Sequence, residues 1–190
     1  MGVAVDVDHR PGSVLRDADS ALHKAKDRGR DRVEVYDDAL RAETVRKVAA
    51  EHLLRKALDE DGLRVLYQPI VDLRTGTVVS AEALLRIIGP GDELLAPASF
   101  IAVAEETGLI VPVGAGVLDD ACDQLTAWRE RFGDRAPRNV SVNLSARQIT
   151  TRSFPSVVER TLDRHGMHPS ALTLELTETS LIEAGHAALD

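Results

Sequence analysis

The sequence predicts an α/β fold arranged as about half of a (β/α) barrel. From residue 62 onward, strand patterns alternate with helix patterns, as in a parallel sheet or barrel. About four strands occur, whereas a closed eight-stranded barrel takes roughly 250 residues, and the chain has 190. The first two strands are joined by a short turn at Thr75 and Gly76, so we expect this first pair to be antiparallel.

The composition is that of an ordinary globular protein, with 44% hydrophobic and 28% charged residues. The net charge of −8 argues against a nucleic-acid duplex as partner but leaves a small anion held through a metal ion open. Cys122 is the single cysteine, so no intramolecular disulfide is expected, which fits a reducing compartment. No apolar run reaches the ~18 residues of a membrane span, and the N-terminus lacks a signal-peptide pattern. We therefore expect a cytoplasmic protein without a membrane segment.

The chain before the barrel divides into two parts. Residues 1–38 predict a strand–helix–strand unit whose helix is capped by Ser13 and closed by Gly29, and which is too small to bury a stable core alone. Residues 39–61 predict an amphipathic connecting helix with Thr44 as its N-cap. We interpret the charged face of this helix as solvated, with a partner-binding or signalling helix as the alternative.

Polar side chains recur near the carboxyl ends of three predicted strands. In the strands at 139–144 and 172–177, apolar and polar residues alternate, whereas strands buried on both faces are continuously aliphatic. A polar set on neighbouring strands suggests a shared polar mouth, and β/α active sites form at the carboxyl ends of strands. We expect Glu82, Asn143 and Glu175 to converge there.

Two carboxylates and an amide oxygen are hard ligands that suit Mg²⁺, Mn²⁺ or Ca²⁺ better than zinc or copper. An arginine such as Arg86 beside a dication suits a phosphate-bearing ligand, because arginine grips phosphate through two N–H groups. Hydrolysis of a phosphate ester is therefore one hypothesis, and exposed strand-end residues without a joint role are the other. His165 and His168 lie in a loop without a second ligand pair, and we do not expect them to bind metal.

A first resemblance concerns the N-terminal unit. Residues 15–26, followed by Gly29-Arg30-Asp31-Arg32-Val33, resemble the closing segment of a GGDEF (diguanylate cyclase) domain, with His23 where that family usually has tyrosine. This resemblance implies that residues 1–38 are the C-terminal remnant of such a domain, whose signature loop would lie upstream. No cyclase activity is assigned, and Lys26, which matches a lysine near the nucleotide phosphates, is interpreted as a solvated helix charge.

A second resemblance covers about residues 51–190. Its motifs are Tyr67-Gln68-Pro69-Ile70-Val71-Asp72-Leu73, Ala81-Glu82-Ala83-Leu84-Leu85-Arg86, Phe100 with Ala104-Glu105-Glu106-Thr107-Gly108-Leu109-Ile110, Val142-Asn143-Leu144-Ser145 and Glu175-Leu176-Thr177-Glu178. In this order they resemble EAL domains, which are metal-dependent cyclic di-GMP phosphodiesterases with a TIM-like barrel whose first strand is antiparallel. The resemblance implies that residues 62–190 form the N-terminal half of an EAL domain, and that cyclic di-GMP is the partner, hydrolysed to linear pGpG in the complete domain. The Glu105-Glu106-Thr107 stretch is given a structural role at a helix end.

The resemblance also implies roles for single residues. The metal ligands, for Mg²⁺ or Mn²⁺, are matched by Glu82, Asn143 and Glu175. Gln68 and Arg86 match residues that contact the base and the phosphate of the dinucleotide. The predicted catalytic residues are Glu82 and Glu178, the latter matching a glutamate that orients a loop beside the metal.

The chain departs from the EAL pattern after these motifs. The Asp-Asp-Phe-Gly motif, the catalytic lysine and further acidic ligands do not occur up to Asp190. We therefore expect the isolated chain to be an incomplete, inactive fragment that self-associates through the open barrel edge. The alternative is a non-catalytic cyclic di-GMP receptor or a protein-interaction module.

Overall fold

The computed structural model describes residues 2–4, 11–27, 29, 31 and 33–176. The chain divides into two compact units, residues 1–52 and 53–190. The division falls within the predicted connecting helix, while the predicted domain boundaries themselves stay predictions. None of the helices in the described ranges combines the length and the apolar character that a bilayer span requires.

The first unit has the predicted strand–helix–strand order. Its elements are β1 (Gly2–Ala4), α1 (Pro11–Asp27), β2 (Glu34–Tyr36) and the first part of α2 (Asp38–Asp59). β1 and β2 pair in parallel, as expected for strands joined by a crossover helix. Ala21 and Ala25 of α1 are buried. Gly29 adopts φ 94°, the left-handed conformation that commonly closes a helix.

The predicted N-cap of the connecting helix is wrong. α2 begins at Asp38, and the Thr44 hydroxyl donates a hydrogen bond to the Leu40 carbonyl oxygen at 2.9 Å, inside the helix. The Asp37 carboxylate instead accepts a hydrogen bond from the Leu40 N–H at 2.8 Å. Because this side chain satisfies a free N–H earlier in the chain, the helix starts there.

The second unit contains a five-stranded sheet with helices. Its elements are β3 (Leu63–Val71), β4 (Val78–Ile88), β5 (Leu94–Leu95), α3 (Ile101–Thr107), α4 (Ile110–Phe132), β6 (Asn139–Leu144), α5 (Ala146–Ile149), α6 (Phe154–Arg164) and β7 (Leu172–Leu176). The strand order is β3-β4-β6-β7, with β5 attached to β4. β3 and β4 are antiparallel, whereas β4, β6 and β7 are parallel. The α/β prediction with an antiparallel first strand is confirmed.

Several local features differ from the prediction. β4 continues to Ile88, so the Glu82–Arg86 stretch lies wholly within a strand. The short strand β5 and the four-residue helix α5 were not predicted. The final helix, predicted from Leu181, lies outside the described residues.

One face of the sheet packs in the core with α4. Ala81 and Ala83 of β4 and Val140 and Val142 of β6 are buried. Cys122, at the centre of α4, is fully buried and acts as a small core residue. Burial, together with the nearby Asp119 carboxylate, raises the pKa of the Cys122 thiol to about 11.

Candidate functional site

Those predicted site residues that fall within the described part of the chain lie on the other face of the sheet. Gln68 on β3 is directly opposite Glu82 on β4 in the antiparallel ladder, and directly opposed residues share a face. In the parallel pairing, Glu82 is in register with Ser141. Since side chains alternate along a strand, Asn143 lies on this same face.

Asn143 lies between the two predicted carboxylate ligands. Its Nδ2 donates a hydrogen bond to Oε1 of Glu82 at 2.7 Å. On its other side, Asn143 is in register with Glu175 of β7. The structure thus brings Glu82 and Asn143 into direct contact and places Glu175 on the adjacent strand beside Asn143.

The oxygen atoms of this cluster are of the type that a hard divalent cation binds. A half-turn of the Asn143 amide would present Oδ1 alongside the carboxylates of Glu82 and Glu175, a donor set that suits Mg²⁺ or Mn²⁺. Within the described part of the chain, no group of three or more histidine, cysteine, aspartate or glutamate side chains could hold a metal. A cation here would therefore depend on the amide, and on water or ligand oxygens for its remaining positions.

Two guanidinium groups belong to the same face. Arg86 lies four residues after Glu82 on β4, so its side chain is on the same face of the strand. Its Nη1 donates a hydrogen bond to the Leu85 carbonyl oxygen at 2.7 Å. Its register partner is Arg64 on β3, which forms an exposed ion pair of 3.8 Å with Asp61. Arg64 was not among the predicted residues: its even spacing from Gln68 places it on the same strand face, but its pairing with Arg86 depends on the antiparallel register. Opposed like charges are unfavourable on their own, and a phosphate between them would relieve the repulsion.

The polar face extends beyond the candidate ligands. Nδ2 of Asn139 donates to Oγ1 of Thr173 at 3.1 Å, and the Ser80 hydroxyl donates to the Asn139 carbonyl oxygen at 3.1 Å. Ser141 is buried between them in register with Thr173. The polar side chains of neighbouring strands thus contact one another on this face, as the alternating pattern suggested.

The histidines belong elsewhere. Nε2 of His165 lies 3.0 Å from Oδ1 of Asp119, and Asp119 also pairs with Arg164, so this cluster joins α4 to α6. Nδ1 of His168 accepts a hydrogen bond from the backbone N–H of Ser170 at 3.2 Å. Both histidines therefore have local structural partners. The predicted catalytic residue Glu178 lies outside the described residues.

Comparison with known proteins assigns the family. Residues 51–190 match the family model described as the EAL domain. The chain belongs to the EAL domain family. It is 38% identical over 176 residues to the bifunctional diguanylate cyclase/cyclic di-GMP phosphodiesterase MucR of Pseudomonas aeruginosa, covering 93% of this chain and 25% of MucR. It is 35% identical over 191 residues to the cyclic di-GMP phosphodiesterase PdeR of Escherichia coli, covering 100% of this chain and 28% of PdeR.

A solved EAL structure shows the same fold. The PaMucR phosphodiesterase in complex with c-di-GMP superposes with a TM-score of 0.66 at 39% identity, covering 74% of this chain and 56% of that one. The chain thus spans only about a quarter of the curated relatives and just over half of this solved chain. The roles of the individual site residues stay predictions.

Proposed function

We propose that this EAL family chain is part of a cyclic di-GMP phosphodiesterase acting in cyclic di-GMP signalling, with the polar face of its sheet as part of the substrate site, and that the isolated chain binds the dinucleotide without completing the reaction. The observation that carries the proposal is the Glu82–Asn143 contact of 2.7 Å, flanked by Glu175 in register. The names of MucR and PdeR, which include cyclic di-GMP phosphodiesterase, support the substrate class.

In this proposal the site binds Mg²⁺ or Mn²⁺. The ligands from this chain would be Glu82, Asn143 and Glu175. A cation bound there polarises a phosphate oxygen and lowers the pKa of a coordinated water. Arg86 binds a phosphate of the dinucleotide and Gln68 contacts a base, both reaching the ligand from the same sheet face. The role of Glu178 in orienting an adjacent loop stays a prediction.

A non-catalytic cyclic di-GMP receptor is the second candidate. Residues 57–190 contain no lysine, so this part of the chain offers no counterpart of the catalytic lysine that the EAL resemblance implies. Binding without turnover needs only the side chains that bind the cation and the dinucleotide. A receptor would therefore keep every residue of the candidate site without hydrolysing the dinucleotide.

Three further expectations are also proposals. Residues 1–38 are taken as the end of a GGDEF domain, supported by the diguanylate cyclase in the name of MucR, whose match covers 93% of this chain. Self-association is supported by β3, which has β4 as its one strand neighbour in the described sheet and so has one unpaired edge there; sedimentation velocity measures it. The cytoplasmic location stays a prediction.

A turnover assay separates the two candidate functions. The purified chain is incubated with cyclic di-GMP and Mg²⁺ or Mn²⁺, and linear pGpG is measured by chromatography. The test variant is Glu82→Gln, and the control is Glu159→Gln, an exposed carboxylate on α6. Metal-dependent product formation that Glu82→Gln abolishes supports the phosphodiesterase and contradicts the expectation that the isolated chain is inactive. Saturable binding without product agrees with an incomplete fragment and with the receptor, and neither binding nor turnover contradicts both.

A further inference from the structure

We propose that Arg147 is a positioning residue for Asn143, acting through the turn that follows β6. This segment, Ser145 together with the four-residue helix α5, is called the β6 exit turn. The inference rests on the proposed function, because Asn143 is a candidate cation ligand only there. It assigns a role in the site to a side chain that touches neither cation nor substrate.

The guanidinium of Arg147 binds the end of α3. Its Nη1 donates hydrogen bonds to the backbone carbonyl oxygens of Glu105 and of Glu106, the latter at 3.2 Å. The Glu105 carbonyl oxygen also accepts a hydrogen bond from the Gly108 N–H at 3.2 Å, and a cation beside the last carbonyls of a helix complements the helix dipole. Arg147 therefore ties the β6 exit turn to a helix some forty residues earlier in the chain.

Gly108 makes room for this contact. It closes α3 in the left-handed conformation, with φ 81°. A Cβ at this position would lie 3.1 Å from Nη2 of Arg147. A side chain here would be strained and would crowd the guanidinium. The Glu-Glu-Thr-Gly stretch, which was predicted to have a structural role at a helix end, provides the carbonyl oxygens that Arg147 binds.

A second anchor fixes the other side of the β6 exit turn. The Ser145 hydroxyl accepts a hydrogen bond from the Gln148 N–H at 3.3 Å, and the Gln148 side chain accepts one from the Ser145 N–H at 3.1 Å, which is a capping box. Gln148 is buried and lies so close to α4 that a Cβ at Gly114 would be 1.9 Å from its Nε2. The turn is therefore held by α3 through Arg147 and by α4 through Gln148.

These anchors act on Asn143 because it lies two residues before Ser145, near the end of β6. Asn143 is exposed, so no packing fixes its side chain, and its described polar contact is with Glu82. Its backbone is held on one side by the parallel pairing with Glu175 of β7, and the direction in which the chain leaves β6 adds a further constraint on where the amide lies. With Arg147 removed, the Gln148 anchor keeps the fold, but the backbone around Asn143 gains freedom and the contact with Glu82 weakens.

The experiment observes the Asn143 side-chain amide directly by NMR of the ¹⁵N-labelled chain. The Asn143→Asp variant identifies its two amide proton signals by their loss. In Arg147→Ala we expect these signals to shift and to exchange with water about tenfold faster, the effect of losing roughly one hydrogen bond. Arg147→Lys, which keeps a donor, should restore part of the protection. Arg152→Ala, an exposed arginine on the following segment, should leave the signals unchanged.

Thermal melting and the remaining backbone amide spectrum separate positioning from a general loss of structure. If Arg147→Ala leaves the Asn143 signals and their exchange rates unchanged, the inference is overturned. If the exchange rates rise across the whole protein to the same extent, Arg147 is a structural residue only, and the inference is likewise overturned.

Mn²⁺ titration distinguishes this inference from the proposed function. In the unsubstituted chain, Mn²⁺ should broaden the Asn143 signals, and Arg147→Ala should require a higher Mn²⁺ concentration for the same effect. An Asn143 signal that responds to Arg147→Ala but never to Mn²⁺ supports the positioning contact and contradicts the cation site. Broadening at the same Mn²⁺ concentration in both proteins supports the cation site and contradicts the positioning role.

Discussion

Cys122 lies in the middle of α4 with no exposed side-chain surface. Its pKa is raised to about 11, so at pH 8 about one thiol in a thousand is ionised, and the thiolate is the reactive form. We expect the folded chain to resist iodoacetamide and the chain in denaturant to react at the rate of an ordinary cysteine. Because Cys122 is the single cysteine, mass spectrometry reads the result directly, and equal rates in the two states would contradict its burial.

Tyr67 makes the stability of the fold depend on pH in the alkaline range. Its ring packs edge-on against Trp128, with centroids 5.0 Å apart, and its hydroxyl donates to the Asp120 carbonyl oxygen at 3.1 Å. Burial, and then the negative charges of Asp120 and Asp123, raise the pKa of Tyr67. The unfolded pKa is about 10, so the stabilisation is complete below pH 10 and is lost as pH rises above it.

The variant Tyr67→Phe tests this alkaline dependence. At neutral pH it should lose about 1 kcal/mol of unfolding free energy, the net value of one hydrogen bond. Above pH 10 the unsubstituted protein should lose stability more steeply than the variant, by at most about 1.4 kcal/mol per pH unit. Urea unfolding followed by Trp128 fluorescence measures both, and parallel pH profiles would contradict the assignment.

For single residues, the alternation of polar and apolar side chains along a strand was the useful signal in the sequence. The alternation around Asn143 and Glu175 predicted that their side chains share a face, and the register agrees. The sequence did not reveal that the Asn143 amide donates to Glu82, because this depends on how β6 is placed beside β4. Arg64 was missed because its role as partner of Arg86 exists only once the antiparallel register is known.

At the scale of elements, α4 contains a matched pair of glycines. A Cβ at Gly114 would lie 1.9 Å from Nε2 of Gln148, whereas one at Gly116 would lie 3.5 Å from a methyl group of Leu63, an ordinary contact. We expect Gly116→Ala to stabilise the protein by up to about 1 kcal/mol through helix propensity. Gly114→Ala should destabilise it by about 1–3 kcal/mol, because Gln148 must leave its place. Urea midpoints compare the two, and equal stabilisation would contradict the Gln148 anchor.

The elements themselves were predictable where a pattern is long or a stop signal is strong. α4 and β6 follow from their apolar periodicity, and α3 ends at Gly108, a glycine of the kind that commonly closes a helix. The start of α2 was not predictable from Thr44, because Asp37 offers an equally good cap earlier in the chain. α5 is too short for a periodic pattern, and its capping box at Ser145 was its one sequence signal.

For the whole molecule, the sequence predicted the alternating elements, the antiparallel first strand and the shared polar face. Membership of the EAL family agrees with the resemblance that its motifs carry. The order of the strands in the sheet and the joining of α3, α4 and β6 around Asn143 depend on long-range packing. These contacts, such as that of Arg147 with Glu105, have no local sequence pattern.

We propose that the polar face binds cyclic di-GMP through a divalent cation held at Glu82. Calorimetric titration of the 190-residue chain with cyclic di-GMP, in Mg²⁺ or Mn²⁺ and again in EDTA, tests this binding. We expect saturable binding that EDTA abolishes, that Glu82→Gln weakens by about tenfold or more, and that Glu159→Gln leaves unchanged. Absence of binding by the unsubstituted chain, or equal affinity for Glu82→Gln, would contradict the claim.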